Sequence, residues 1–155
     1  MAGLEDLYKE IILDHYRNPR NRGELETPPA HKAEGSNPLC GDEIIVYVDI
    51  DDDGVIADIA TGGQGCSISQ SSASMMSAAV KGKTIEEARA VTDGFKAMMS
   101  IHESGLEGEK ETKPDLSMGD LSALRGVVKF PVRIKCAVLS WNTLLQALED
   151  AAQPS

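Results

Sequence analysis

Three cysteines and one aspartate carry the chemistry open to this chain of 155 residues. Cys40 and Asp42 flank Gly41 in "NPLCGDEI", Cys66 follows the glycine-rich "TGGQG", and Cys136 lies in "RIKCAVL". Gly41 allows the backbone to bend, so a thiol and a carboxylate two residues apart can aim at one centre. The glycines ahead of Cys66 permit close backbone approach, and Cys66 opens an expected helix, where the positive end of the dipole favours an anion. Three thiolates and a carboxylate make the four ligands that zinc takes in a tetrahedron, with Zn–S near ~2.3 Å and Zn–O near ~2.0–2.2 Å. Soft sulfur selects zinc, copper(I) or an iron–sulfur cluster over magnesium or calcium. Such a ligand set leaves excess negative charge, and Arg133 and Lys135 beside Cys136 are candidate charge stabilisers. The spacing fits no short finger pattern, so it leaves open the plainer reading of three buried, inert thiols and two solvated cations.

The surrounding pattern says what must position these groups. Leu4, Leu7, Tyr8, Ile11, Ile12 and His15 recur at helical spacing, and "NPRNRG" ends that helix. "EIIVYVDI" alternates, with Ile44, Val46, Val48 and Ile50 on one side; "DDDG" turns the chain into "VIADIATGG", a second strand. A third strand has no pattern of its own, and the region before Glu43 is the candidate for it. From Ser67 the period becomes helical, in a stretch rich in small residues that Gly82 ends. Thr84 and Glu87 then form a capping box for a further helix. Residues 100–116 have no period and read as a loop, "SMGDLSALRGV" as a short helix, and the stretch from Pro131 as a long one with Val138, Trp141, Leu145 and Leu148 inward.

Composition narrows the function classes. The formal net charge of −10 repels nucleic acid and anionic lipid. No apolar run approaches the ~20 residues of a membrane span, and the acidic start "MAGLEDLYKE" is not a secretory signal. Three scattered cysteines do not make a secreted disulfide framework, which points to reduced thiols in the cytoplasm. "DIDDDG" lacks the distal glutamate of a calcium loop and reads as a turn.

Taken in order, "NPLCGDEI", "GGQGCSISQSSASMM" and "KFPVRIKCAVLSW" resemble the three cysteine motifs of the U-type iron–sulfur cluster assembly family, and "YKEIILDHYRNPRNRG" is similar to its opening helix. The likeness runs from about Leu4 to Leu148. The family's scaffold branch, the IscU type, carries a histidine directly before the third cysteine; here that position is Lys135. The extra segment near residues 100–120, with "RIKC" and "GCSIS", fits the SufU branch instead.

The resemblance implies an α+β fold: one domain over residues 1–155, with a three-stranded antiparallel sheet packed by about five helices on one face and a flexible inserted loop near 100–120. It implies a zinc-dependent sulfurtransferase that accepts persulfide sulfur on Cys40 from a SufS-type cysteine desulfurase and stimulates that enzyme's turnover. Cys40, Asp42, Cys66 and Cys136 would hold Zn2+, and a histidine of the desulfurase would displace Cys40 to free it. Downstream iron–sulfur assembly proteins would receive the sulfur. Two rivals stand beside this reading: a scaffold that builds an iron–sulfur cluster on the same cysteines, and a domain with purely structural zinc.

Overall fold

The structure is a computed structural model; it describes residues 4–27, 30–38, 41–104, 123–124, 127 and 131–152. The alternating stretches pair as expected. Strands β2 (Asp42–Ile50) and β3 (Ile56–Gln64) run antiparallel. Asp51 builds the turn between them, its Oδ1 accepting from the amides of Asp53 at 2.9 Å and Val55 at 3.0 Å. The third strand, β1 (His31–Asn37), pairs antiparallel with the other edge of β2, giving the order β1-β2-β3.

Ile44, Val46 and Val48 are buried on one face of β2, with Ala33 from β1 and Ile59 from β3 alongside. Burying them against helices is the main stabilising term of the fold. Helices α2 (Ser67–Val80) and α4 (Pro131–Ala152) supply the opposing surface, with Met75, Met76, Trp141, Leu144 and Leu148 in the same core. Gly35 in β1 permits the close approach of α4, since a Cβ there would run into the Thr143 hydroxyl and the Leu139 side chain. On the other face Lys32, Glu34 and Glu43 meet solvent, and the Lys32 ammonium lies 5.9 Å from the centre of the Tyr47 ring.

Helix α3 (Ile85–Ser104) starts at the capping box: the Glu87 amide donates to Thr84 Oγ1 and the Thr84 amide to Glu87 Oε1, both at 3.0 Å. It meets α4 through Phe95, whose ring stacks on Trp141 at 4.7 Å. Helix α1 (Leu4–Arg17) packs on α2. After it, Asn21 and Gly23 exchange backbone hydrogen bonds with Thr61 and so extend the sheet past β3.

The class is α+β with a three-stranded antiparallel sheet, but the described residues hold four α-helices and not about five. Most of the short helix expected over 117–127 lies outside the described residues. Ala123 and Leu124 form a tight 3-10 turn and, with Val127, are buried in the core. The loop expected from residue 100 is also revised: α3 continues through Ser104, and residues 105–122 lie outside the described part. No helix of the described residues is long and apolar enough to cross a membrane.

Candidate metal centre

Asp42 is the first residue of β2 and stands directly across from Asn37, the last residue of β1. It falls on the helix-covered face, in phase with Ile44 and Val46, and is 1% exposed. Gly41 enters the strand at φ 70°, a left-handed conformation that costs other residues roughly 1–2 kcal/mol. That bend carries the chain out of the β1–β2 connection and turns the Asp42 carboxylate inward.

Cys66 caps α2 from an extended backbone conformation, and no side-chain cap hydrogen bond engages it. Its amide donates to Asp42 Oδ1 at 2.9 Å, and its Sγ lies 3.8 Å from Asp42 Oδ2. This contact needs Gly65, because a Cβ there would press into Asp42 Oδ1 and lie 2.7 Å from Ser69 Oγ. Cys136, on α4, is fully buried, and Asn37 Nδ2 donates toward its Sγ at 4.0 Å.

Three elements thus bring Asp42, Cys66 and Cys136 together, with their ligand atoms all within 4.8 Å of one another. Bonds of about 2.0–2.3 Å at tetrahedral angles set ligand atoms roughly 3.5–3.8 Å apart, so the residues present fit a tetrahedral ion after small side-chain rotations. Two thiols and one carboxylate, with the two cysteines free of disulfides, suit zinc or iron and not magnesium or calcium. Cys66 is the partly exposed member, which leaves the cluster open on its side. Cys40, the fourth expected ligand, lies outside the described residues. Arg133 and Lys135 are exposed near the start of α4.

A polar frame behind Cys66 is not apparent from residue types alone. Arg22 donates to Gln70 Oε1 at 2.8 Å and to the Gly63 carbonyl at 2.5 Å. Gln70 donates to Ser69 Oγ at 3.4 Å, and Ser69 donates to the Cys66 carbonyl at 3.2 Å. Arg22 therefore braces the glycine-rich lead-in from both sides. In the sequence Arg22 stands close to two other cations, Arg17 and Arg20. Arg20 instead pairs with Asp14 at 2.7 Å, and the bond from its guanidinium, aided by Asn18, holds the Asp14 carboxyl below its ordinary range. His15, in helical phase with Ile11 and Ile12, is buried with Nδ1 2.7 Å from Ser74 Oγ. Asn37 gave no signal of its own, but the pairing of β1 with β2 sets it opposite Asp42.

Residues 7–137 match the family model described as the NifU-like N-terminal domain. The chain belongs to this family. As a NifU-like domain it is 45% identical, over 92% of its length and 90% of the relative's, to the zinc-dependent sulfurtransferase SufU of Bacillus subtilis. It is 40% identical, over 98% of its length and 89% of the relative's, to the iron–sulfur cluster assembly scaffold protein IscU of Streptococcus pyogenes. Among solved structures, a candidate iron–sulfur cluster assembly scaffold protein for the SUF system from Fervidobacterium islandicum superposes with a TM-score of 0.75 at 31% identity, covering 94% of this chain and 99% of that one. The family expected from the cysteine motifs is the family found, and its members named here are a zinc-dependent sulfurtransferase and iron–sulfur cluster assembly scaffold proteins.

Proposed function

We propose that this NifU-like domain is a zinc-dependent sulfurtransferase of iron–sulfur cluster assembly, with Asp42, Cys66, Cys136 and Cys40 as the zinc ligands and Cys40 as the sulfur acceptor. The observation that carries the reading is the convergence of Asp42, Cys66 and Cys136 from three separate elements. Cys40 precedes Asp42 by two residues, so chain connectivity alone keeps its Cα within about 7 Å of that of Asp42. Zinc, when bound, keeps a coordinated sulfur deprotonated at neutral pH, where a free thiol with a pKa near ~8.5 is mostly protonated.

The chain's own groups divide the work. The Cys66 amide orients the Asp42 carboxylate, the packed helix α4 fixes Cys136, and Asn37 donates toward the Cys136 sulfur. The Cys40 sulfur, as thiolate, attacks the outer sulfur of a persulfide held by a SufS-type cysteine desulfurase. A new S–S bond forms to Cys40, the old one breaks, and the desulfurase cysteine leaves as thiolate. Arg133 and Lys135, exposed at the start of α4, stabilise the negative charge that arrives. Removing sulfur from the desulfurase raises its turnover, and downstream iron–sulfur assembly proteins in the cytoplasm receive the cargo.

Lys135 favours transfer over scaffolding, since a protonated amine directly before Cys136 is a poor ligand for a cluster. The 45% identity to a protein named as a zinc-dependent sulfurtransferase supports the same side. The 40% identity to a protein named as a scaffold keeps cluster assembly as the alternative. The test is mass spectrometry of the protein after incubation with a SufS-type desulfurase and cysteine. One added sulfur on Cys40, its absence from Cys40→Ser, and colourless protein with bound zinc are expected. Equal sulfur loading of Cys40→Ser, or a stable brown cluster in place of zinc after anaerobic reconstitution, would overturn the proposal.

A further inference from the structure

Helix α2 buries five serines, at 69, 71, 72, 74 and 77. Ser69 and Ser71 bond back to the carbonyls of Cys66 and Ser67. Ser74 and Ser77 serve the N-terminal segment: Ser74 Oγ meets His15 and the Arg20 amide, and Ser77 Oγ meets Asn21 and the Arg20 carbonyl. Ser72 is the one that reaches α4. Its hydroxyl donates to the Ala137 carbonyl at 2.6 Å and accepts from Trp141 Nε1 at 3.0 Å. Ser72, Ala137 and Trp141 are all fully buried.

The position of this bridge matters. Ala137 directly follows Cys136, and Ser72 lies six residues beyond Cys66, about 9 Å along the axis of α2. The bridge therefore joins the helix that Cys66 caps to the turn of α4 that follows Cys136. Small side chains give α2 shallow ridges, which resist sliding of a neighbouring helix poorly. Methionines such as Met75 and Met76 adapt to more than one packing. A buried hydrogen-bonded pair is directional, and a fully satisfied one specifies a single arrangement. Trp141 is itself clamped by Phe95 from α3, so the α4 end of the bridge does not yield.

We propose that Ser72 is a positioning residue for the metal centre: its hydroxyl fixes the register of α4 on α2 and so sets the separation of the Cys136 and Cys66 sulfurs. This rests on the reading of Asp42, Cys66 and Cys136 as metal ligands. A role confined to satisfying the Trp141 N–H would stabilise the fold without tuning the site, and the two are separable.

The experiment compares wild type, Ser72→Ala and Thr92→Val. Thr92 is a buried hydroxyl on α3 that bonds back to the Ala88 carbonyl, so its loss perturbs the fold away from the site. Each protein is titrated with Co2+ to read the sulfur-to-cobalt charge-transfer band and with Zn2+ against a chromophoric chelator. The melting temperature of each metal-free protein is recorded alongside. Ser72→Ala should weaken zinc about tenfold and alter the cobalt band, as loss of supporting groups around a metal site does. Thr92→Val should lower the melting temperature and leave both metal readouts at wild-type values. A wild-type band and affinity in Ser72→Ala, or equal metal losses in the two variants, overturns the inference. Wild-type protein that binds neither ion refutes the metal reading itself.

Discussion

Replacing Gly65 with alanine tests the packing on which the centre depends. A methyl group there would overlap Asp42 Oδ1 and lie 2.7 Å from Ser69 Oγ and 2.9 Å from Asp42 Cγ. The Asp42 backbone is held in the β1–β2 ladder opposite Asn37, so the carboxylate must rotate away. That breaks its hydrogen bond from the Cys66 amide, a bond to a charged group worth about 1.5–3 kcal/mol. Crowding a packed site adds about 1–3 kcal/mol, and the φ of 158° at Gly65 strains a residue with a Cβ, so the stiffer unfolded chain returns nothing. The net expected loss is about 2.5–6 kcal/mol, a large part of the ~5–15 kcal/mol that holds a domain together. Denaturant unfolding of the metal-free protein measures it, and chelator competition should show zinc affinity down by at least about tenfold. Gly62→Ala is the control, because a Cβ there meets only the Gly23 carbonyl at 3.9 Å; it should stay within about 1 kcal/mol of wild type. If Gly65→Ala unfolds and binds zinc like Gly62→Ala, the carboxylate is not fixed as described.

Other outcomes follow from single contacts. Ser140, one turn beyond Cys136, buries a hydroxyl with no hydrogen-bond partner among the described residues; Ser140→Ala should match wild type or exceed it by about 1 kcal/mol in denaturant unfolding, and a clear loss would reveal a partner. Phe95→Ala removes a fully buried ring stacked on Trp141 and should cost about 3–5 kcal/mol; a loss under about 1 kcal/mol would show that the α3–α4 contact carries little. The Asp14 carboxyl is held below its ordinary 3.8 by the Arg20 guanidinium first and Asn18 second. A lowered pKa stabilises the fold above the ordinary value and loses that effect as pH falls through the lowered one. In an NMR titration Arg20→Ala should move Asp14 back up toward 3.8, and an unmoved titration would show that the ion pair does not form.

Periodicity made β2, β3 and α2 legible, and the Thr84–Glu87 capping box marked the start of α3. The strand "HKAEGSN" could be expected only as the region before Glu43, without bounds, because only Ala33 among its residues supplies an apolar anchor. Its place comes from pairing with β2 and from the room that Gly35 leaves for α4, both long-range facts. The cysteine motifs pointed to a metal site, but spacing alone could not show that Cys66 and Cys136, seventy residues apart, meet Asp42. The frame around them was less legible still. Arg22, Gln70 and Ser72 are polar residues of unremarked type, and their bonds cross 48 and 65 residues of chain. In the far part of α3 the loop reading failed for a simple reason: the polar run after Met99 still propagates a helix already nucleated at its cap.

In the proposed centre, sulfur and carboxylate from distant segments surround one zinc ion. X-ray absorption at the zinc edge of the purified protein tests it most directly. Three sulfurs near ~2.3 Å and one oxygen near ~2.0–2.2 Å are the predicted neighbours. A zinc shell of nitrogen and oxygen with no sulfur would rule out Cys40, Cys66 and Cys136 as its ligands.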